Sequence, residues 1–131
     1  MKQFTSIFAV FFLVAVAFTA SAQTDITPSV VQALSKGDAA GLGKHLVSSV
    51  DVAILDDEDM YPRDQVVAKL NQFFQKNSPK SFEIKHQGTS KLDDHYRIGD
   101  LTTSTGLFRV TFFMKKTGAT MEIKQLRIER Y

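Results

Sequence analysis

The apolar residues of this chain are spaced in three successive ways. From Ile7 to Phe18 they run without interruption, from Thr27 to Asn77 they recur mostly at helical spacing, and after Pro79 they alternate. Thr27-Pro28 predicts a helix start, with Thr27 as the cap and Pro28 at the first helical position. Val30, Val31 and Leu34 follow at helical spacing, Gly37 ends the helix, and Asp38 caps a second one. Ala39, Leu42 and Leu46 form the apolar face of that second helix. Val50 to Leu55 is short, apolar and β-rich, and predicts a strand. The acidic run Asp56-Asp57-Glu58-Asp59 reads as a solvated loop, and Pro62 opens a third helix. In that helix Val66, Leu70, Phe73 and Phe74 lie at i, i+4, i+7 and i+8, which makes one apolar stripe.

Beyond Asn77-Ser78-Pro79 the pattern is that of strands. Phe82, Ile84 and His86 alternate with Glu83, Lys85 and Gln87, which predicts His86 on the inner face. Further strands are predicted at about 94–103, 107–115 and 120–130. Phe108, Val110, Phe112 and Met114 share one parity and predict the face against the core. Tyr96 and Ile98 are read as inward and His95 as exposed. In the last strand Met121 and Ile123 share one parity, while Leu126 and Ile128 share the other. A single buried face then requires an extra residue near Lys124-Gln125, a β-bulge. Early helices and late hairpin-linked strands predict an α+β domain, with about three helices packed on one face of an antiparallel sheet of four to six strands.

The first apolar run changes the expected location. Lys2, the run itself and Ala20-Ser21-Ala22 make a signal peptide with a small-x-small cleavage site. About a dozen apolar residues fall short of the roughly 20 that a spanning helix needs. Residues 1–22 are expected to be removed, leaving residues 23–131 as one domain, exported to the periplasm or the extracellular space and not held in a membrane. Lys2 is the leader's one charge, so the remainder holds fifteen basic groups against fourteen acidic ones. That balance supplies no field for nucleic acid. The chain has no Cys, which excludes disulfides, a lipoprotein anchor, thiol catalysis, Cys-ligated zinc and iron–sulfur clusters.

The stretch Ala33-Leu34-Ser35-Lys36-Gly37-Asp38-Ala39-Ala40-Gly41-Leu42, within this order of elements, resembles the opening of the nuclear transport factor 2-like superfamily, also called cystatin-like. Tyr96-Arg97-Ile98-Gly99-Asp100-Leu101, Gly106-Leu107-Phe108-Arg109-Val110 and Leu126-Arg127-Ile128-Glu129 are similar to small secreted Bacteroidetes proteins of that superfamily, a family of unknown function. The resemblance covers Asp25 to Arg130. It implies a curved sheet wrapped around helices as a cone, often with a pocket and often dimeric, and it implies no particular reaction.

Candidate chemistry is sparse. Calcium loops space their oxygens and turn at a glycine, whereas Asp56 to Asp59 are consecutive with no Gly after them. His45, His86 and His95 form no close-spaced ligand pair, so no metal and no cofactor is expected. Phe73, Phe74, Phe82, His86, Tyr96 and Phe112 are the candidates for lining a pocket in the cone. Asp100 shares the parity of Tyr96, and an inward carboxylate has the raised pKa that suits a general base. The alternative is a bulge at Gly99 that turns Asp100 outward and Leu101 inward. Leu107, Arg109 and Phe113 lie on the strand face opposite the core, where apolar residues beside an Arg suit an interface. Arg109, Arg127 and Arg130 gathered together would make an anion site.

Two functions follow as expectations. The first is an exported non-catalytic binding module with a small apolar ligand in the cone or a protein partner, and a homodimer through the outer sheet face. The second is a cofactor-free isomerase or hydro-lyase using Asp100, His86 and Tyr96.

Overall fold

A computed structural model describes residues 25–131. The expected signal peptide, residues 1–22, lies outside the described residues. Helices α1 (Thr27–Lys36) and α2 (Ala39–Gly43) are followed by strands β1 (Leu46–Ile54) and β2 (Asp57–Pro62). Helix α3 (Arg63–Lys76) comes next, then strands β3 (Pro79–Thr89), β4 (His95–Thr103), β5 (Gly106–Thr117) and β6 (Thr120–Arg130). One sheet runs in the order β2-β1-β6-β5-β4-β3. Every neighbouring pair is antiparallel except β1 with β6, which are parallel and are separated in the chain by β2, α3, β3, β4 and β5.

Helix ends follow their local chemistry. Gly37 closes α1 in the left-handed conformation, with φ of 68°, and the Asp38 carboxylate accepts the Gly41 amide at 2.9 Å to cap α2. The start of α1 differs from expectation. Thr27 is already helical, Ile26 stands at the cap position with no side-chain cap bond, and the Thr27 amide donates to Asp25 Oδ1 at 2.9 Å. The hydrogen bond with Thr27 holds the Asp25 carboxyl below the usual carboxylate range, helped by the charges of Arg97 and His95.

The acidic run is exposed as expected, but only Asp56 lies in a turn; Asp57, Glu58 and Asp59 are in a strand. Residues 57–62 pair with β1 from Ile54↔Asp57 to Ser49↔Pro62. β2 is an edge, and charged side chains on an edge discourage further pairing while their carboxylates stay in water. Asp57 accepts hydrogen bonds from the Tyr61 hydroxyl at 2.5 Å and from Lys69 Nζ at 2.6 Å, which ties the edge strand to α3.

All three helices lie on one face of the sheet. Val30, Ala33 and Leu34 of α1 and Val66, Leu70, Phe73 and Phe74 of α3 are buried against Phe82, Leu101, Phe108, Val110, Phe112, Met114, Ile123, Leu126 and Ile128. Phe73 meets Phe108 edge to face, with centroids 5.1 Å apart. The β6 bulge falls where the sequence requires it. Phe113 pairs with Gln125 and Met114 with Ile123, so Lys124 is the extra residue and both halves of the strand face the core.

Parity in β4 corrects the sequence reading. β4 pairs with β5 without interruption, and Leu101 faces inward with Phe108. Tyr96, Ile98 and Asp100 therefore face outward, while His95, Arg97 and Gly99 take the inner parity. The irregularity expected at Gly99 lies instead in β3, where Ile84 pairs with Gly99 but His86 pairs with Ile98. Lys85 is the extra residue, so His86 is turned to the outer face. Gly99 has a different duty. A Cβ there would sit 2.5 Å from the Glu83 carbonyl oxygen and from the Phe82 ring.

Two expectations follow for stability. Leu70→Ala and Phe112→Ala each remove fully buried volume and should cost roughly 2–5 kcal/mol in chemical denaturation. Gly99→Ala should cost about 1–3 kcal/mol, because its methyl must displace backbone as well as the Phe82 ring; a change near zero would mean that the β3–β4 pair is not packed this closely.

Candidate functional site

Interior packing decides where a site can be. Of the residues expected to line a pocket in the cone, Phe74, Phe82 and Phe112 are buried in the hydrophobic core with Phe73. Phe73 alone among them also reaches a surface cleft. His86 and Tyr96 are on the other side of the sheet, for the reasons of parity given above.

The outer face of β3, β4 and β5 brings together the remaining candidates. Tyr96 stands opposite Phe113, Ile98 opposite Thr111, Asp100 opposite Arg109 and Thr102 opposite Leu107. The rings of Tyr96 and Phe113 have centroids 5.9 Å apart. Tyr96 lies across β3 at Gly88, where a Cβ would come within 2.5 Å of its hydroxyl oxygen. Phe113, Ile98 and Tyr96 are half-buried and form an apolar band on this face, and Leu107, 44% exposed, lies beyond the Asp100–Arg109 row.

Next to the band is a hollow of about 420 Å³ lined by Lys85, His86, Ile98, Asp100, Arg109 and Tyr131. Tyr131 bridges it. Its hydroxyl donates to Asp100 Oδ1, and the Arg109 guanidinium lies 4.8 Å over its ring. Facing charges across two strands, with an aromatic laid over both, favour this arrangement by cross-strand attraction and by cation–π contact. Asp100 and His86 thus share a site, although not the enclosed apolar one that a raised carboxyl pKa needs. Both lie at the surface, His86 exposed and Asp100 half-buried.

The three arginines do not converge. Arg127 is paired with Glu129 at 3.1 Å and with Glu58 at 3.8 Å, Arg130 lies 5.3 Å from the Phe108 ring, and Arg109 is over Tyr131. Arg130 stands opposite Phe108 and so has the inner parity, while Arg109 has the outer one. Among the described residues no group of three or more His, Asp or Glu is placed to hold a metal ion. His45 is half-buried beyond α2, and burial, with Lys44 beside it, lowers its imidazole below the ordinary value.

Sequence reasoning missed Tyr131. A terminal aromatic after a strand carries no signal that it folds back across the sheet. The Lys85 bulge was equally hidden, because Phe82, Ile84 and His86 alternate without a break.

Comparison with known proteins agrees with this architecture. A crystal structure of a DUF4783 family protein from Bacteroides fragilis is 30% identical, with a TM-score of 0.75, over 82% of this chain and 100% of that one. A second, from Bacteroides ovatus, is 27% identical with a TM-score of 0.75, over 84% of this chain and 97% of that one. A protein named Rd1NTF2_04 with long sheet is 17% identical with a TM-score of 0.62, over 79% of this chain and 95% of that one, a likeness of fold alone. No curated protein matches the chain. The family model described as a domain of unknown function, DUF4783, matches residues 27–129, and the chain, a nuclear transport factor 2-like α+β domain, belongs to that family.

Proposed function

We propose that this protein is an exported, non-catalytic binding module that associates through the outer face of β3–β5, with a second copy of itself as its partner. The observation that carries this reading is the apolar patch of Tyr96, Phe113 and Ile98, with Arg109 beside it and Leu107 on the far side of the Asp100–Arg109 pair. A sheet covered by helices on one face usually keeps charged or polar residues on the other. Large apolar side chains with an Arg among them are what interface centres favour. Burial of Phe74, Phe82 and Phe112 supports a scaffold role for the interior, and so favours binding at the surface over a ligand in the cone. The isomerase or hydro-lyase reading is the weaker, because Asp100 and His86 lie in a hollow at the surface, where the Asp100 carboxylate already accepts the Tyr131 hydroxyl.

Export rests on the leader pattern. Intact-mass analysis of the product from its own host should give a chain beginning at Gln23; a product that still carries residues 1–22 would refute the export reading.

The association is tested by sedimentation. The parent chain should be dimeric at micromolar concentrations, and Phe113→Glu should make it monomeric with an unchanged circular-dichroism spectrum. A parent that is monomeric at every concentration sinks the self-association.

A further inference from the structure

A second concavity lies away from the outer face and shares none of the residues of its hollow. It has a volume of about 240 Å³ and opens between the C-terminal half of α3 and the turn that joins β1 to β2. Its floor is Ile54, Leu55 and Phe73. Lys69, Gln72, Phe73 and Lys76 lie at i, i+3, i+4 and i+7, so one line of α3 forms a whole wall.

Charge in the cleft is unbalanced. Asp57 is the one acid in the lining, and Lys69 already holds it at 2.6 Å. That bond, with the one from Tyr61, keeps the Asp57 carboxyl below the ordinary carboxylate range, so it stays ionised and committed to Lys69. Lys76 is exposed at the rim and has no ion-pair partner among the described residues. The cleft therefore combines an apolar floor with one uncompensated positive charge at its edge.

Leu55 adds an independent sign. Its φ of 56° is left-handed, and its amide donates to the Ile128 carbonyl at 2.9 Å, which locks that geometry. A glycine or asparagine would adopt this conformation at lower cost. The two-residue turn between Ile54 and Asp57 requires a positive φ at its first position. Here it puts an apolar side chain at the cleft where the easier residues would leave none.

The geometry points to a binding site for a small amphipathic anion, with its apolar body against Ile54, Leu55 and Phe73 and its carboxylate paired with Lys76. The volume is that of about eight water molecules at ~30 Å³ each, which suits a ligand of roughly ten heavy atoms. A straight-chain carboxylate such as octanoate fits. This site is independent of the outer face, so its failure would leave the self-association reading intact, and the reverse holds as well.

The experiment is an amide-resolved NMR titration of the purified chain with octanoate and, separately, with octanol. Octanoate should shift the resonances of Leu55, Lys69, Gln72, Phe73 and Lys76 with a roughly millimolar dissociation constant. Octanol should bind the same residues about fivefold more weakly, the loss of one half-exposed ion pair. Lys76→Gln, an exposed change in the last turn of α3, should weaken octanoate to the level of octanol and leave octanol unaffected. Asp57→Asn should act in the opposite direction and tighten octanoate, because it frees Lys69. No saturable shift, shifts centred on the outer face, equal binding of octanol and octanoate, or both variants moving affinity the same way would each overturn the site.

Discussion

Side chains alternate along a strand, and a sheet covered by helices on one face must keep its apolar residues at a single parity. Most of this molecule follows from how that constraint is met. β6 cannot meet it as a regular strand, because Met121 and Ile123 differ in parity from Leu126 and Ile128. The extra residue at Lys124 resets the alternation, so all four reach the core. The same device in β3 has the opposite effect. Lys85 resets the alternation after Ile84 and sends His86 to the outer face, beside Ile98. One local irregularity completes the interior, and the other assembles a surface hollow.

Once parity is set, large side chains pack the interior around it. Phe73, Phe74, Phe82, Phe108 and Phe112 supply large rings, and Gly99 leaves out the one Cβ that would stop Phe82 from lying over β4. A packed core has no room for a ligand without displacing such a ring. The hollow and the cleft lie instead at the margins: on the outer face of β3–β5, and where α3 leaves the β1–β2 turn. Each margin holds apolar surface next to an Arg or Lys, and each is closed on one side by a single bridging contact, Tyr131 to Asp100 in one and Lys69 to Asp57 in the other.

The edges of the sheet are managed differently. β2 presents four consecutive acidic or acid-flanked positions to water, while its backbone pairs with β1. Consecutive acids read as a loop because strands rarely carry them, yet at an edge they have water to face on both sides and keep other strands away. Placement at the edge is a property of the whole sheet, set by the parallel pairing of β1 with β6, and no window of sequence around Asp57 contains it.

Much was legible from residue order alone. The apolar stripe of α3, the Gly37–Asp38 break, the four late strands and the need for an extra residue near Lys124 all express local rules: helical spacing, left-handed tolerance at glycine, and strict alternation. Those rules act within a few residues, so a sequence carries them in full. Inward and outward assignments for β4 did not follow, because Tyr96 and Ile98 share one parity while Leu101 has the other, and only pairing with Phe108 and Phe112 of β5 decides between them. His86 alternates faultlessly with Ile84 and still faces out, since a bulge is fixed by register against a neighbouring strand and not by the strand's own residues. Both candidate sites are of this second kind. Tyr131 meets the Asp100–Arg109 pair of the β4–β5 hairpin, and Leu55 meets Lys69 and Lys76 of α3, only through the order of strands in the sheet and the packing of α3 upon it.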